Sequence, residues 1–130
     1  MLFNPATWTP TGDASFDRLI RGTIDFFETK GKKKLKEDDR NRVWYQDYLD
    51  FQAEIGVFAT LLTPKADGDG TTRWDTWRIA HYSEVLGFYG LAYWYTWQVS
   101  ILGLGPIWMS ANEKVRAQTA KALREGGIFA

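Results

Sequence analysis

The chain has 130 residues, no cysteine, and 16 basic side chains against 16 acidic ones. This length suits one domain that buries about two-thirds of its unfolded surface. The lack of cysteine excludes disulfides, thiolate metal sites and cysteine nucleophiles. Balanced charge gives no field to attract nucleic acid or an anionic membrane, so we expect neither partner. The N-terminus lacks the pattern of a signal peptide, which favours a cytoplasmic location.

The first segments predict an irregular lead-in over residues 1–12 and a helix that begins after Asp13, a suitable N-cap. This helix should extend to about Thr29, because its apolar residues recur at helical spacing. They are Phe16, Leu19, Ile20, Ile24 and Phe27. The lysine-rich run that starts at Lys30 is interpreted as a solvated loop between helices, and a phosphate-gripping patch is the alternative.

A second helix is expected from about Lys36 to Ile55, ended by Gly56. Its predicted apolar stripe consists of Trp44, Tyr48, Phe51 and Ile55. The apolar run over residues 57–63 is interpreted as an extended segment, and residues 65–71 as a polar loop.

A third helix is expected to be capped by Thr72, with Asp75 completing a capping box. One face of this helix should carry Trp74, Trp77, His81 and Val85. His81 is the only histidine, and we interpret it as a packed residue rather than a base or a metal ligand. The loop at residues 67–70 resembles the start of a calcium loop but lacks the closing glutamate, so it is interpreted as a turn.

The C-terminal part predicts a fourth helix from about Leu91 to Leu102 and a turn over residues 103–106. A fifth helix should run from Ala111 to Arg124. The chain as a whole is therefore expected to be an all-α bundle of about five helices over residues 13–127. Residues 128–130 have a strand-like pattern, and we interpret them as the start of a truncated next domain.

A stretch of 25 residues, 85–109, carries no charged side chain. It is long enough on paper to cross a bilayer. A central helix of a bundle is equally apolar on all sides, and we favour that interpretation because glycines, a proline and several polar residues interrupt the run. No constellation of nucleophile, base and acid is visible in the sequence, so catalytic residues are predicted to be absent, as is a metal site.

Three stretches, in this order and spacing, resemble the N-terminal helical domain of the acyl-CoA dehydrogenases. Residues 51–64 read FQAEIGVFATLLTP, residues 78–87 read RIAHYSEVLG, and residues 102–114 read LGLGPIWMSANEK. The family has comparable segments at a helix end, in a following helix and after an apolar run. Ala111 stands where glycine is usual. The resemblance covers roughly residues 14–130.

The resemblance implies an FAD-dependent flavoprotein of fatty acid metabolism, an oxidoreductase that removes hydrogen from the α and β carbons of an acyl-CoA thioester. It implies that FAD and the catalytic residues belong to other domains of the parent enzyme, so this chain alone should bind no cofactor and be inactive. It also implies one wall of the acyl pocket, formed by Trp94, Tyr95, Gln98 and Leu102, with the remaining domains as partners. Separated from them, the chain is expected to self-associate. A free-standing helical interaction module or a membrane-associated bundle is the alternative.

Overall fold

The computed structural model describes residues 3–127, and within this range the chain forms six α-helices. They are α1 (Ala14–Arg40), α2 (Gln46–Ile55), α3 (Val57–Leu62), α4 (Thr76–Tyr89), α5 (Leu91–Met109) and α6 (Glu113–Arg124). Short 3-10 turns occur at Pro5–Thr7 and Lys65–Asp67. The predicted all-α class is confirmed, with six helices in place of about five. The strand expected at residues 128–130 lies outside the described residues.

Helix α1 begins as predicted, because the Asp13 carboxylate accepts a hydrogen bond from the Phe16 backbone N–H. All five apolar residues predicted for its inner face are buried. The loop predicted from Lys30 is wrong. Only Gly31 leaves the helical conformation (φ 75°, ψ 151°), and the chain resumes a helical course to Arg40. One residue is enough for this break, because glycine adopts such backbone angles without the strain that other residues would have.

Lys30 is also not a solvated loop residue. Its side chain is largely buried, and its ammonium lies 2.7 Å from an Asp47 carboxylate oxygen and 3.0 Å from one of Asp38. Burial alone would lower the pKa of Lys30, but the two carboxylates outweigh it and raise that pKa above its ordinary value. Lys30 precedes the break at Gly31, so its ammonium joins the part of α1 after the break, residues 32–40, to the start of α2. We call this part the second arm of α1.

Two further boundaries differ from the prediction. Helix α2 begins at Gln46 rather than Lys36, so Trp44 precedes it. Residues 57–62 are helical, not extended. Gly56 adopts a left-handed conformation (φ 74°) that closes α2, and the chain at once starts a new turn. A short continuous apolar run is compatible with either a buried strand or a buried helix. The hydrophobic pattern of residues 57–62 therefore could not predict which of the two forms.

The cap predicted at Thr72 is also wrong. Asp75 is the N-cap of α4, accepting from the Arg78 N–H, and Thr72 is buried ahead of the helix. The turn predicted at residues 103–106 is absent, because α5 continues through Pro106 to Met109. Pro106 has no backbone N–H to donate to the Leu102 carbonyl. Leu102 lies on the exposed side of the helix, so water can solvate this carbonyl.

The core forms where α1, α2, α3, α4 and α5 meet. Its largest fully buried side chains include Trp97, Tyr48, Tyr82 and Phe16. Aromatic contacts connect the helices: the rings of Tyr82 and Trp97 lie 4.9 Å apart in an edge arrangement. The C-terminal end of α5 is held by the Trp108 indole N–H, which donates to the Leu62 carbonyl at 2.9 Å. Helix α5 is therefore fixed along its length.

Candidate functional site

Helix α5 turns one face to the core. That face contains Tyr93, Trp97, Ser100 and Leu104, all buried. The spacing i, i+4, i+7 and i+11 keeps them on one side of a helix with about 3.6 residues per turn. The Trp97 indole N–H donates to the Ser83 hydroxyl at 3.1 Å, which fixes the rotation of α5 against α4.

The opposite face of α5 carries an uncharged surface, which we call the α5 stripe. It consists of Leu91, Tyr95, Gln98, Leu102 and Met109. Four of these side chains are exposed: Leu91 by 74%, Tyr95 by 58%, Leu102 by 63% and Met109 by 88%. A row of exposed apolar side chains such as this is a candidate contact surface.

The structure separates the four residues predicted to line an acyl pocket. Tyr95, Gln98 and Leu102 lie together on the α5 stripe, Gln98 being half-buried. Trp94 sits on the flank of the same helix, where it is half-buried and packs against the core cluster. Three of the four thus share one outward surface, while much of the Trp94 side chain supports the fold.

Beneath α5 lies a cluster of buried hydroxyl groups. The Tyr82 hydroxyl is 3.1 Å from that of Thr23 and 3.4 Å from that of Tyr48, and Gln52 donates to Tyr48 at 2.8 Å. Burial raises the pKa of Tyr48 well above its ordinary value and also raises the pKa of Tyr82. Both phenols are neutral near neutral pH, so this cluster organises the core and supplies no base.

The start of α1 is joined to the start of α4 by a buried arginine. Arg78 donates from Nε and Nη2 to one Asp13 oxygen, at 2.9 and 2.6 Å. Its other contacts are the Ser15 hydroxyl at 3.1 Å and the Thr71 carbonyl at 3.2 Å. Burial opposes the charge of Asp13, but hydrogen bonds, chiefly from Arg78, outweigh it and lower the pKa of this carboxyl.

His81 is packed among aromatic rings. It stacks on Trp77 with ring centroids 5.4 Å apart, and the Trp8 indole N–H lies 3.4 Å from its Nε2. It therefore holds the N-terminal segment against α4. In the Asp67–Gly70 loop, Asp67 accepts from Arg116 at 2.6 Å, which makes the loop a structural contact with α6.

A groove of about 580 Å³, which no sequence pattern indicated, lies between the second arm of α1 and the start of α5. Trp44 forms one side, 61% exposed and stacked on Tyr45 at 4.4 Å. Lys36, Arg42 and Asp39 also line it, so its charges are mixed. The predicted second helix included Trp44 in its apolar stripe, which hid this feature. The groove reaches the α5 stripe at Leu91.

Within residues 3–127, no group of three or more histidine or acidic side chains is arranged to hold a metal ion. No helix in that range combines the length and apolarity needed to cross a membrane. Comparison of the chain with protein families, curated proteins and solved structures gives no significant match. The α5 stripe is therefore the strongest candidate for a functional surface in the described part of the chain.

Proposed function

We propose that this chain is the N-terminal helical domain of an FAD-dependent enzyme of the acyl-CoA dehydrogenase type, acting in the cytoplasm in fatty acid metabolism. In this proposal α5 forms one wall of the pocket that receives the acyl chain of an acyl-CoA substrate. The proposal starts from the three sequence stretches that resemble this family, and the α5 stripe is the structural observation that carries it.

The α5 stripe suits an acyl chain for two reasons. It runs about 27 Å from Leu91 to Met109 at roughly 1.5 Å per residue, and the whole of α5 carries no charged side chain. An apolar ligand that contacts this surface removes no charged group from water, whereas elsewhere on the domain it would have to desolvate charges at a cost in free energy. Tyr95, Gln98 and Leu102, assigned to the wall by resemblance, lie in the middle of the stripe.

FAD itself does not fit this surface. A flavin dinucleotide needs cations or clustered N–H donors for its diphosphate, and the α5 stripe offers only the Tyr95 hydroxyl and the Gln98 amide as polar side chains. In the proposal the cofactor and the catalytic groups therefore belong to the remaining domains of the same enzyme. Those domains cover the stripe and complete the pocket.

The test uses the enzyme encoded by the complete reading frame. Leu102→Ala opens a volume of a few methylenes, and each buried methylene contributes about 0.8 kcal/mol, or roughly fourfold in kcat/KM. We expect Tyr95→Ala and Leu102→Ala to change the ranking of acyl-CoA lengths. Val115→Ala, which trims an exposed apolar side chain on α6, is the matched control and should leave the ranking unchanged. A protein without flavin, or an unchanged ranking in both α5 variants, contradicts the proposal.

The second candidate is a free-standing helical interaction module, and the same exposed stripe favours it. The two candidates differ in a simple observation. An interaction module purified from its complete reading frame carries no FAD and reduces no dye acceptor with acyl-CoA, whereas the proposed enzyme does both.

A further inference from the structure

The α5 stripe has a symmetry that the proposed acyl pocket does not use. Its one amide, Gln98, lies close to the middle, with Tyr95 three residues before it and Leu102 four residues after it. Leu91 lies seven residues before Gln98, whereas Met109 lies eleven residues after it, so Met109 falls outside the symmetric part. A surface with apolar side chains on both sides of a polar centre is complementary to itself when one copy is turned end to end.

We infer that the α5 stripe is the interface of a twofold homodimer of this chain, with the two α5 helices antiparallel and the axis near Gln98. In that arrangement Tyr95 of each copy lies over Leu102 of the other. The two Gln98 amides meet at the axis, where each donates to the carbonyl of the other. A twofold contact of this kind is isologous, meaning that one patch serves both copies.

Charge favours a second copy over a charged partner. Helix α5 has no charged side chain in its 19 residues, so pairing with an identical helix desolvates no ion and creates no repulsion. The chain also has a net charge of zero, so two copies do not repel each other as whole molecules. A charged partner would instead leave its ions unpaired against the stripe.

Gln98 gives the pair its register. A lone polar residue in an apolar helix seam disfavours every alignment in which its amide lacks a partner. Sliding the helices by one turn places each Gln98 against an apolar side chain, and a parallel arrangement leaves Tyr95 facing Tyr95 and Leu102 facing Leu102.

The area sets the expected strength. Two α5 helices paired about Gln98 overlap over residues 91–106, a strip about 22 Å long and about 10 Å wide. This strip covers on the order of 200 Å² per copy, below the roughly 800 Å² of a standard stable interface. We therefore expect a weak, transient dimer, with a Kd on the order of 10–100 µM or weaker. The two uses of the α5 stripe exclude each other in one molecule, because the remaining domains of the proposed enzyme cover the stripe. The homodimer is therefore inferred for the 130-residue chain by itself, and its test does not depend on flavin or on acyl-CoA.

The first experiment is sedimentation equilibrium of the 130-residue chain from about 5 to 500 µM. We expect a reversible monomer–dimer equilibrium that Leu102→Lys weakens at least about tenfold, because a charge then enters the apolar seam. Val115→Lys introduces the same charge on α6 and should leave the Kd unchanged. Circular dichroism checks that each variant is folded. A monomer at all concentrations, or equal weakening by both variants, overturns the inference.

The second experiment tests the register by disulfide cross-linking. Because the chain has no native cysteine, each introduced cysteine can pair only with its copy in the other chain. Single variants Gln98→Cys, Leu91→Cys and Met109→Cys are oxidised under identical conditions. Antiparallel helices bring two copies of residue 98 together, while two copies of residue 91 or 109 stay far apart. We expect Gln98→Cys to form disulfide dimers at least about tenfold faster than the other two. Equal rates at the three positions mean a parallel or unspecific contact and overturn the proposed geometry.

Discussion

Asp13 has two roles at once, because it caps α1 through the Phe16 N–H and pairs with the buried Arg78. Asp13→Asn keeps an oxygen for the cap but leaves the guanidinium without its anion. We expect a loss of about 2 kcal/mol in the free energy of unfolding at pH 7, typical of a hydrogen bond to a charged group. Urea unfolding measures it. Asp25→Asn, an exposed acid on the same helix, is the control and should change little.

The same pair predicts a pH dependence. The folded-state pKa of Asp13 is lowered, below an unfolded value of about 3.9. Its contribution is therefore complete above that unfolded pKa and is lost as the pH falls through the folded one. The difference in unfolding free energy between wild type and Asp13→Asn should be constant from pH 7 to 5 and shrink at lower pH. A difference that persists unchanged to pH 2 contradicts this linkage.

Single residues show where the sequence was sufficient and where it was not. The Asp13 cap and the inner face of α1 follow from local rules, so they were predictable. The pairing of Asp13 with Arg78 spans 65 positions, and no local pattern reveals it. Trp44 was predicted on the apolar stripe of the second helix, yet it precedes α2 and is exposed. Burial depends on which helices meet, and that information lies in the tertiary fold.

At the scale of elements, glycines decide whether a helix breaks. Gly31 and Gly87 both have open space around the position of an added Cβ, but only Gly31 has a positive φ, of 75°. Gly31→Ala should therefore lose about 1–3 kcal/mol through backbone strain alone. Gly87→Ala should gain up to about 1 kcal/mol, because alanine is the better helix former. Chemical denaturation of the two variants measures the contrast, and equal effects would show that the break at Gly31 is absent in solution.

Helix boundaries were the least predictable elements for a related reason. The run over residues 57–62 is apolar throughout, so it has no periodicity to separate strand from helix. The Gly103 to Pro106 segment reads as a turn, yet α5 passes through it, because Trp108 and the buried Leu104 hold the last turns against the bundle. Tertiary contacts outweighed the local preference for a break. The α5 stripe itself was predictable in part, since the spacing of Tyr95, Gln98 and Leu102 already places them on one face.

At the scale of the whole molecule, association through the α5 stripe links stability to concentration. A contact made only by folded chains stabilises them by mass action, so the Tm rises with protein concentration. For a dimer with a Kd near 50 µM, raising the chain from about 5 to 500 µM adds roughly 1 kcal/mol, or a few degrees for a domain of this size. Leu102→Lys should keep the Tm of the dilute wild type but lose most of its dependence on concentration. Calorimetry at several concentrations checks this, and because Leu102 is 63% exposed in the monomer, a fall in the Tm of the dilute variant would instead mean that this side chain supports the fold.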